Sequence, residues 1–121
     1  MSKAFELGRK GEGLAVEHLK SIGYEILQLN WFSNHLELDI VAKDGGELVI
    51  VEVKARGSDS YEHPSEAVSN KKIRFLVNAA EAYILENNIN CDTRFDVISI
   101  IFSGNKVELE HFINAFYPPV G

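Results

Sequence analysis

Asp39, Glu52 and Lys54, with Glu37 close by, are residues whose types and spacing could do chemistry on a phosphate ester. They lie in the stretch Glu37-Leu38-Asp39-Ile40-Val41-Ala42-Lys43-Asp44-Gly45-Gly46-Glu47-Leu48-Val49-Ile50-Val51-Glu52-Val53-Lys54. Two runs rich in β-branched and aliphatic residues flank Asp44-Gly45-Gly46-Glu47, which is a β-hairpin signal. With Gly45-Gly46 as a two-residue turn, Asp44 pairs with Glu47. Counting outwards brings Asp39 opposite Glu52 and Glu37 opposite Lys54. Side chains alternate between the faces of a strand, and directly opposite residues share a face. Four charged side chains are therefore expected on one side of an otherwise apolar hairpin.

Asp39 and Glu52 would then be like charges about 5 Å apart, which repel unless one is protonated or a cation lies between them. Two hard oxygen ligands, with positions left open for water and a phosphate, suit Mg²⁺ or Mn²⁺. Lys54 could orient a water or stabilise the negative charge that develops during attack on a phosphodiester. The plainer reading is a salt-bridged polar face, Glu37 to Lys54, on a half-exposed sheet. The run Leu48-Val49-Ile50-Val51-Glu52-Val53 is apolar on both faces, however, which marks a central strand covered on both sides. Register decides the matter, because a loop one residue longer would put Asp39 and Glu52 on opposite faces.

Asp39, followed by Glu52-Val53-Lys54 on the next strand, resembles the metal-binding motif of the PD-(D/E)XK nuclease superfamily. More closely, the chain resembles the YraN-like family, which is similar to archaeal Holliday-junction resolvases. The resemblance is carried by Gly8-Arg9-Lys10-Gly11-Glu12, Gly23-Tyr24, Asn30-Trp31, Glu37 to Ala42, Val51 to Arg56, Glu66-Ala67-Val68 with Lys72, Ala80 and Tyr83, and Arg94-Phe95-Asp96-Val97. These pieces span nearly the whole chain in order. Leu36 stands where the family often has Gly, at the entry to the strand, and this leaves the metal ligands in place. The resemblance implies a metal-dependent endonuclease. Asp39, Glu52 and the Val53 carbonyl would ligate the ion, with Glu12 as a further member of the site. Lys54 would assist the attacking water and Glu37 would hold Lys54 or a water. Arg56 and Lys72 would contact phosphate, with Arg9 and Lys71 as further nucleic-acid contacts. A branched-DNA substrate is inferred from this likeness alone.

The chain has 121 residues and 45% of them are apolar, which fits one compact domain over 1–121 with a real core. No run of about 18 apolar residues is present, so no membrane span is expected. The charged N-terminus lacks the apolar region of a signal peptide. The single cysteine, Cys91, forms no internal disulfide and suits a cytoplasmic setting. The net charge of −6 opposes nucleic-acid binding and predicts weak, salt-sensitive affinity. Lys54, Arg56, Lys71, Lys72 and Arg74 nevertheless form a local basic group, and Arg9-Lys10 form another.

The elements that must position these residues follow from periodicity. From about Ala4 to Ser21 a helix is expected, with Phe5, Ala15, Val16, Leu19 and Ile22 on one stripe and Gly23 as its stop. Glu12 lies on that stripe, as a site member or as an edge carboxylate reaching solvent or an Arg. Gly8, Gly11 and Gly13 would allow close approach to a sheet or phosphate, or else the helix begins later. Tyr24 to Phe32 alternates as a strand with a slip near Leu27. Trp31 and Phe32 are expected to be buried, with base stacking as the other use of a strand aromatic.

Ser33-Asn34 turns into the hairpin. Arg56 to Pro64 reads as a polar loop beside the site, with His63 in it. Ser65 to Asn87 reads as one or two helices, capped by Ser65 or Ser69, with Lys72 at the edge of the apolar face. Arg94 to Phe102 is a buried strand, and Lys106 to Glu110 an alternating edge strand. His18, His35 and His111 have no metal-ligand spacing. Phe112, Phe116 and Tyr117 could seal the sheet edge or form a homodimer contact.

The order is helix, three strands, helix, strand, strand. The long helical connection from Lys54 to Arg94 suits a crossover to a parallel strand. The fold expected is α/β: a restriction-endonuclease-like core, with a mixed sheet of about five strands and a helix on each face. A non-catalytic nucleic-acid or protein interaction module on the same fold is the second reading. The acidic charge favours it, and the intact Asp, Glu and Lys set favours the enzyme.

Overall fold

The computed structural model describes residues 3–58 and 68–118, with side chains from residue 6 onward. The elements are α1 (Lys3–Ser21), β1 (Glu25–Ser33), β2 (Leu36–Asp44), β3 (Glu47–Gly57), α2 (Asn70–Glu86), β4 (Thr93–Ser103) and β5 (Lys106–Phe112). They form one five-stranded mixed sheet in the order β1-β2-β3-β4-β5. Only the β3–β4 pair is parallel. Its connection holds α2, as a same-sheet crossover requires. Among the described residues no helix is long and apolar enough to cross a membrane.

The two helices cover opposite faces because the central strands are apolar on both. Val49 and Val51 of β3 join Ile40, Ala42, Ile98 and Ile100 beneath Ala15 and Leu19 of α1. Leu48 and Ile50 join Leu38, Val41 and Phe95 beneath Leu76, Ala79, Ala80 and Tyr83 of α2. Ser69 caps α2 by accepting the Lys72 N–H at 3.2 Å. The helix thus begins at Asn70, and the Ser65 cap candidate and His63 lie outside the described residues.

The hairpin register is as expected from Asp44↔Glu47 through Ile40↔Val51, with Gly45 at φ +60° in the turn. The β1–β2 ladder shifts between Ile26 and Gln28, which leaves Leu27 as the slipped residue. Two expectations need correction. Arg56 begins no loop: it pairs with Ile101 inside β3, which continues to Gly57 beside β4. Phe32 is not buried: it is 62% exposed, whereas Trp31 packs edge-on against Tyr83 at 5.5 Å.

Gly11 fixes how closely α1 lies on the sheet. A Cβ there would stand 2.5 Å from the Ala55 Cβ of β3. Neither atom ends a flexible chain, so the helix itself must shift. Gly11→Ala should therefore lower stability by about 1–3 kcal/mol despite its better helix propensity. Urea unfolding of the variant checks this. Gly8 and Gly13 have open space at the same test, so Ala at either should be tolerated sterically.

Candidate active site at the fork between β2 and β3

Beyond Ile40↔Val51 the β2–β3 ladder stops, although β3 stays paired to β4 as far as Gly57↔Phe102. The strands fork one position short of Asp39 and Glu52. A backbone N–H freed in this way needs an acceptor. The Asp39 carboxylate supplies it, with Oδ2 accepting from the Val53 N–H at 3.0 Å. The expected facing pairs Asp39/Glu52 and Glu37/Lys54 are thus not ladder pairs. The four charges do not stand together on one flat face.

Asp39 instead occupies the fork between two groups. On the α1 side is an open cavity of about 690 Å³, lined by Arg9, Glu12, Leu29, Asn30, Glu37, Asp39 and Val53 among others. On the other side Glu52 is 13% exposed and takes the Lys72 ammonium at 3.2 Å on Oε2. Asp39 and Glu52 also share a side-chain hydrogen bond. Burial first, then the charge of Asp39 and that hydrogen bond, raise the Glu52 carboxyl well above the ordinary range, against the pull of Lys72.

Glu12 is half-buried and reaches no Arg within the cavity lining. Its Oε1 accepts from the Asn30 side-chain amide at 2.7 Å. Burial chiefly, with the charges of Asp39 and Glu37, raises its pKa, while the Asn30 bond opposes this. Asn30 itself has φ +49° inside β1, and the ladder passes from Leu29↔Ile40 to Trp31↔Leu38 over the Asn30 and Asp39 positions. Asn30 is a site residue whose role sequence reading missed. An Asn in a strand pattern, a residue type that tolerates positive φ, was the available signal.

Glu37 is exposed on the cavity rim and Arg9 is exposed at its mouth. Lys54 follows Glu52 by two along β3 and is half-buried. Arg56 is 8% exposed in β3, while Lys71 is exposed on α2. The structure therefore gathers Glu12, Glu37, Asp39 and Val53 at the cavity, and joins Glu52 and Lys72 to them through Asp39. Among the described residues, no three His, Cys, Asp or Glu side chains are close enough to hold a metal ion by themselves.

A second polar cluster lies under the C-terminal end of α1, and no residue spacing announced it. His18 Nε2 and His111 Nδ1 are 3.0 Å apart, and His111 Nε2 is 2.8 Å from Asp96 Oδ2. His18 and His111, read as isolated residues, are thus partners. Tyr24 and Arg94 complete the cluster around Asp96.

The fold and site define a small mixed α/β protein with an acidic fork between two antiparallel strands at the centre of its sheet. The chain belongs to the uncharacterised protein family UPF0102, whose model matches residues 11–100. This is the YraN-like family that the residue pattern resembles. The chain is 44% identical over 120 residues to a UPF0102 protein of Bacteroides thetaiotaomicron, covering 99% of each chain. It is 41% identical over 119 residues to one of Parabacteroides distasonis, covering 98% of each. A third, from Flavobacterium psychrophilum, is 40% identical over 117 residues, 97% of this chain and 98% of the relative.

Proposed function

We propose that this protein is a divalent-metal-dependent endonuclease of the PD-(D/E)XK type, hydrolysing nucleic-acid phosphodiesters. The observation that carries the reading is the meeting of the Asp39 and Glu52 carboxylates at the strand fork, with Lys54 two residues further along β3. Such a buried pair is destabilising without a proton or cation between its members. The donor set fits Mg²⁺ or Mn²⁺: two carboxylates from different strands, with the Val53 carbonyl as a third oxygen. The few protein ligands suit an ion that keeps several waters. Bound there, the ion would activate water and neutralise charge on the phosphate.

The chain's own residues do the rest. Lys54 supplies a positive charge for the pentacoordinate phosphate and the attacking water. Lys72, already on Glu52, offsets carboxylate charge at the fork. Asn30 holds Glu12 towards the cavity, and Glu37 orients water on its rim. Arg9, on the cavity lining, would contact phosphate, with Lys71, exposed on α2, as a further nucleic-acid contact. Arg56 enters as a buried cation of β3 rather than as an exposed phosphate contact.

The net charge of −6 favours a second reading, an interaction module on the same fold without catalysis. Cleavage decides between them. A panel of four-way junction, flap, duplex, single strand and RNA should be tested at low salt with Mg²⁺ or Mn²⁺. The parent should cut at least one DNA, and Lys54→Ala, purified identically, should be slower by about 10²–10³-fold. Equal cutting by both proteins indicates a contaminant. No cutting by the parent favours the module.

A further inference from the structure

We propose that Phe32 is a stacking shelf for an unpaired nucleobase, so that the substrate class is nucleic acid with unstacked nucleotides beside the scissile phosphate. This rests on the nuclease reading of the fork. Trp31 turns into the core against Tyr83 of α2. Its neighbour Phe32 must then point to the opposite face, that of α1 and the cavity. The ladder agrees: Phe32 pairs with Glu37, which lines the cavity, and directly opposite residues share a face. Phe32 is 62% exposed, and Leu29, which itself lines the cavity, is 43% exposed. An apolar ledge thus adjoins the acidic cavity on the β1 side.

Charge makes this ledge informative. Binding to duplex draws on cations that neutralise several phosphates. This protein carries 12 Lys and Arg against 18 Asp and Glu, and Arg9 is the cation on the cavity lining among the described residues. Stacking requires no cation, and one base on an aromatic ring is worth about tenfold or more in affinity. Only an unpaired base can offer its face to the ring. The cavity, at about 690 Å³, has room for a nucleotide beside the ledge.

The test is equilibrium binding in EDTA at low salt, where no hydrolysis occurs. The probes are one sequence carrying 2-aminopurine as a single strand, as a bulged unpaired base and fully paired. The parent should bind the two unpaired forms about tenfold tighter than the paired one and quench the 2-aminopurine. Phe32→Ala should lose both preference and quenching, and Phe32→Trp should keep them. Equal affinity for paired and unpaired probes would overturn the proposal, as would a preference that survives Phe32→Ala. A Phe32→Ala variant that loses a dimer by light scattering would also overturn it, making Phe32 a subunit contact. Because chemistry is absent, the result is separate from the cleavage panel. Stacking without cleavage would sink the nuclease reading, and cleavage without stacking would sink the shelf.

Discussion

Asp96→Ala should destabilise the protein by about 3–5 kcal/mol, the range found when one member of a buried ion pair is removed. Asp96 is fully buried in β4. It accepts from Arg94 Nε at 2.9 Å, Arg94 Nη2 at 3.2 Å, the Tyr24 hydroxyl at 3.1 Å and the Asn114 N–H at 3.0 Å. His111 Nε2 is 2.8 Å away. Without the carboxylate, Arg94 keeps the Tyr24 hydroxyl and, at the hairpin turn, Asp44 and Glu47, while the Asn114 N–H loses its acceptor. A loss of that size is a large fraction of a typical total of about 5–15 kcal/mol. Urea unfolding should show the midpoint falling steeply with little change in slope.

The same group gives a pH dependence of definite sign. Burial pushes the Asp96 carboxyl up, but His111, Arg94 and the Asn114 N–H outweigh it and hold the pKa at about 2, against an ordinary 3.8. The unfolded chain therefore takes up this proton first as pH falls. The contribution, about 2 kcal/mol, is fully present above about pH 4 and is lost as pH falls towards 2. In Asp96→Asn that part of the acid transition should vanish.

Asp39→Asn should separate the fork's charge from its shape. The Asn carbonyl still accepts from the Val53 N–H, and the like-charge contact with Glu52 is gone. Without metal the variant should be at least as stable as the parent. With Mg²⁺ the order should reverse. An ion at about ten times its Kd stabilises the parent by about 1.4 kcal/mol, a rise of about 5 °C in Tm for a chain of this size. The variant's Tm should stay flat. A parent Tm indifferent to millimolar Mg²⁺ would count against the ion at this fork.

The hairpin, the slip near Leu27 and the parallel crossover were legible because each rests on local chemistry. Gly45-Gly46 sets the turn, alternation breaks at Leu27, and a helix-length connection precedes Arg94. The fork was not legible. Ladder pairing predicts Asp39 across from Glu52, and what parts the strands is where β2 leaves β3 while β3 holds to β4. Proximity of the two carboxylates was nonetheless readable, since it depends on the register up to Ile40↔Val51. Exposure of Phe32 was hidden because β1 is an edge strand whose α1-side end opens on a cavity. The Asp96 cluster joins residues 93 apart in sequence, His18 and His111, with no spacing to betray them. Its one clue was Asp96 itself, a charge between Phe95 and Val97 at the start of a mostly apolar run to Phe102.

The most direct measurement is a Mn²⁺ titration followed by electron paramagnetic resonance, on the parent and on Asp39→Asn side by side. One ion should bind per parent chain, displaced by excess Mg²⁺, and binding should be lost in the variant. No binding by the parent at millimolar Mn²⁺, or equal binding by both proteins, would contradict a cation held between Asp39 and Glu52.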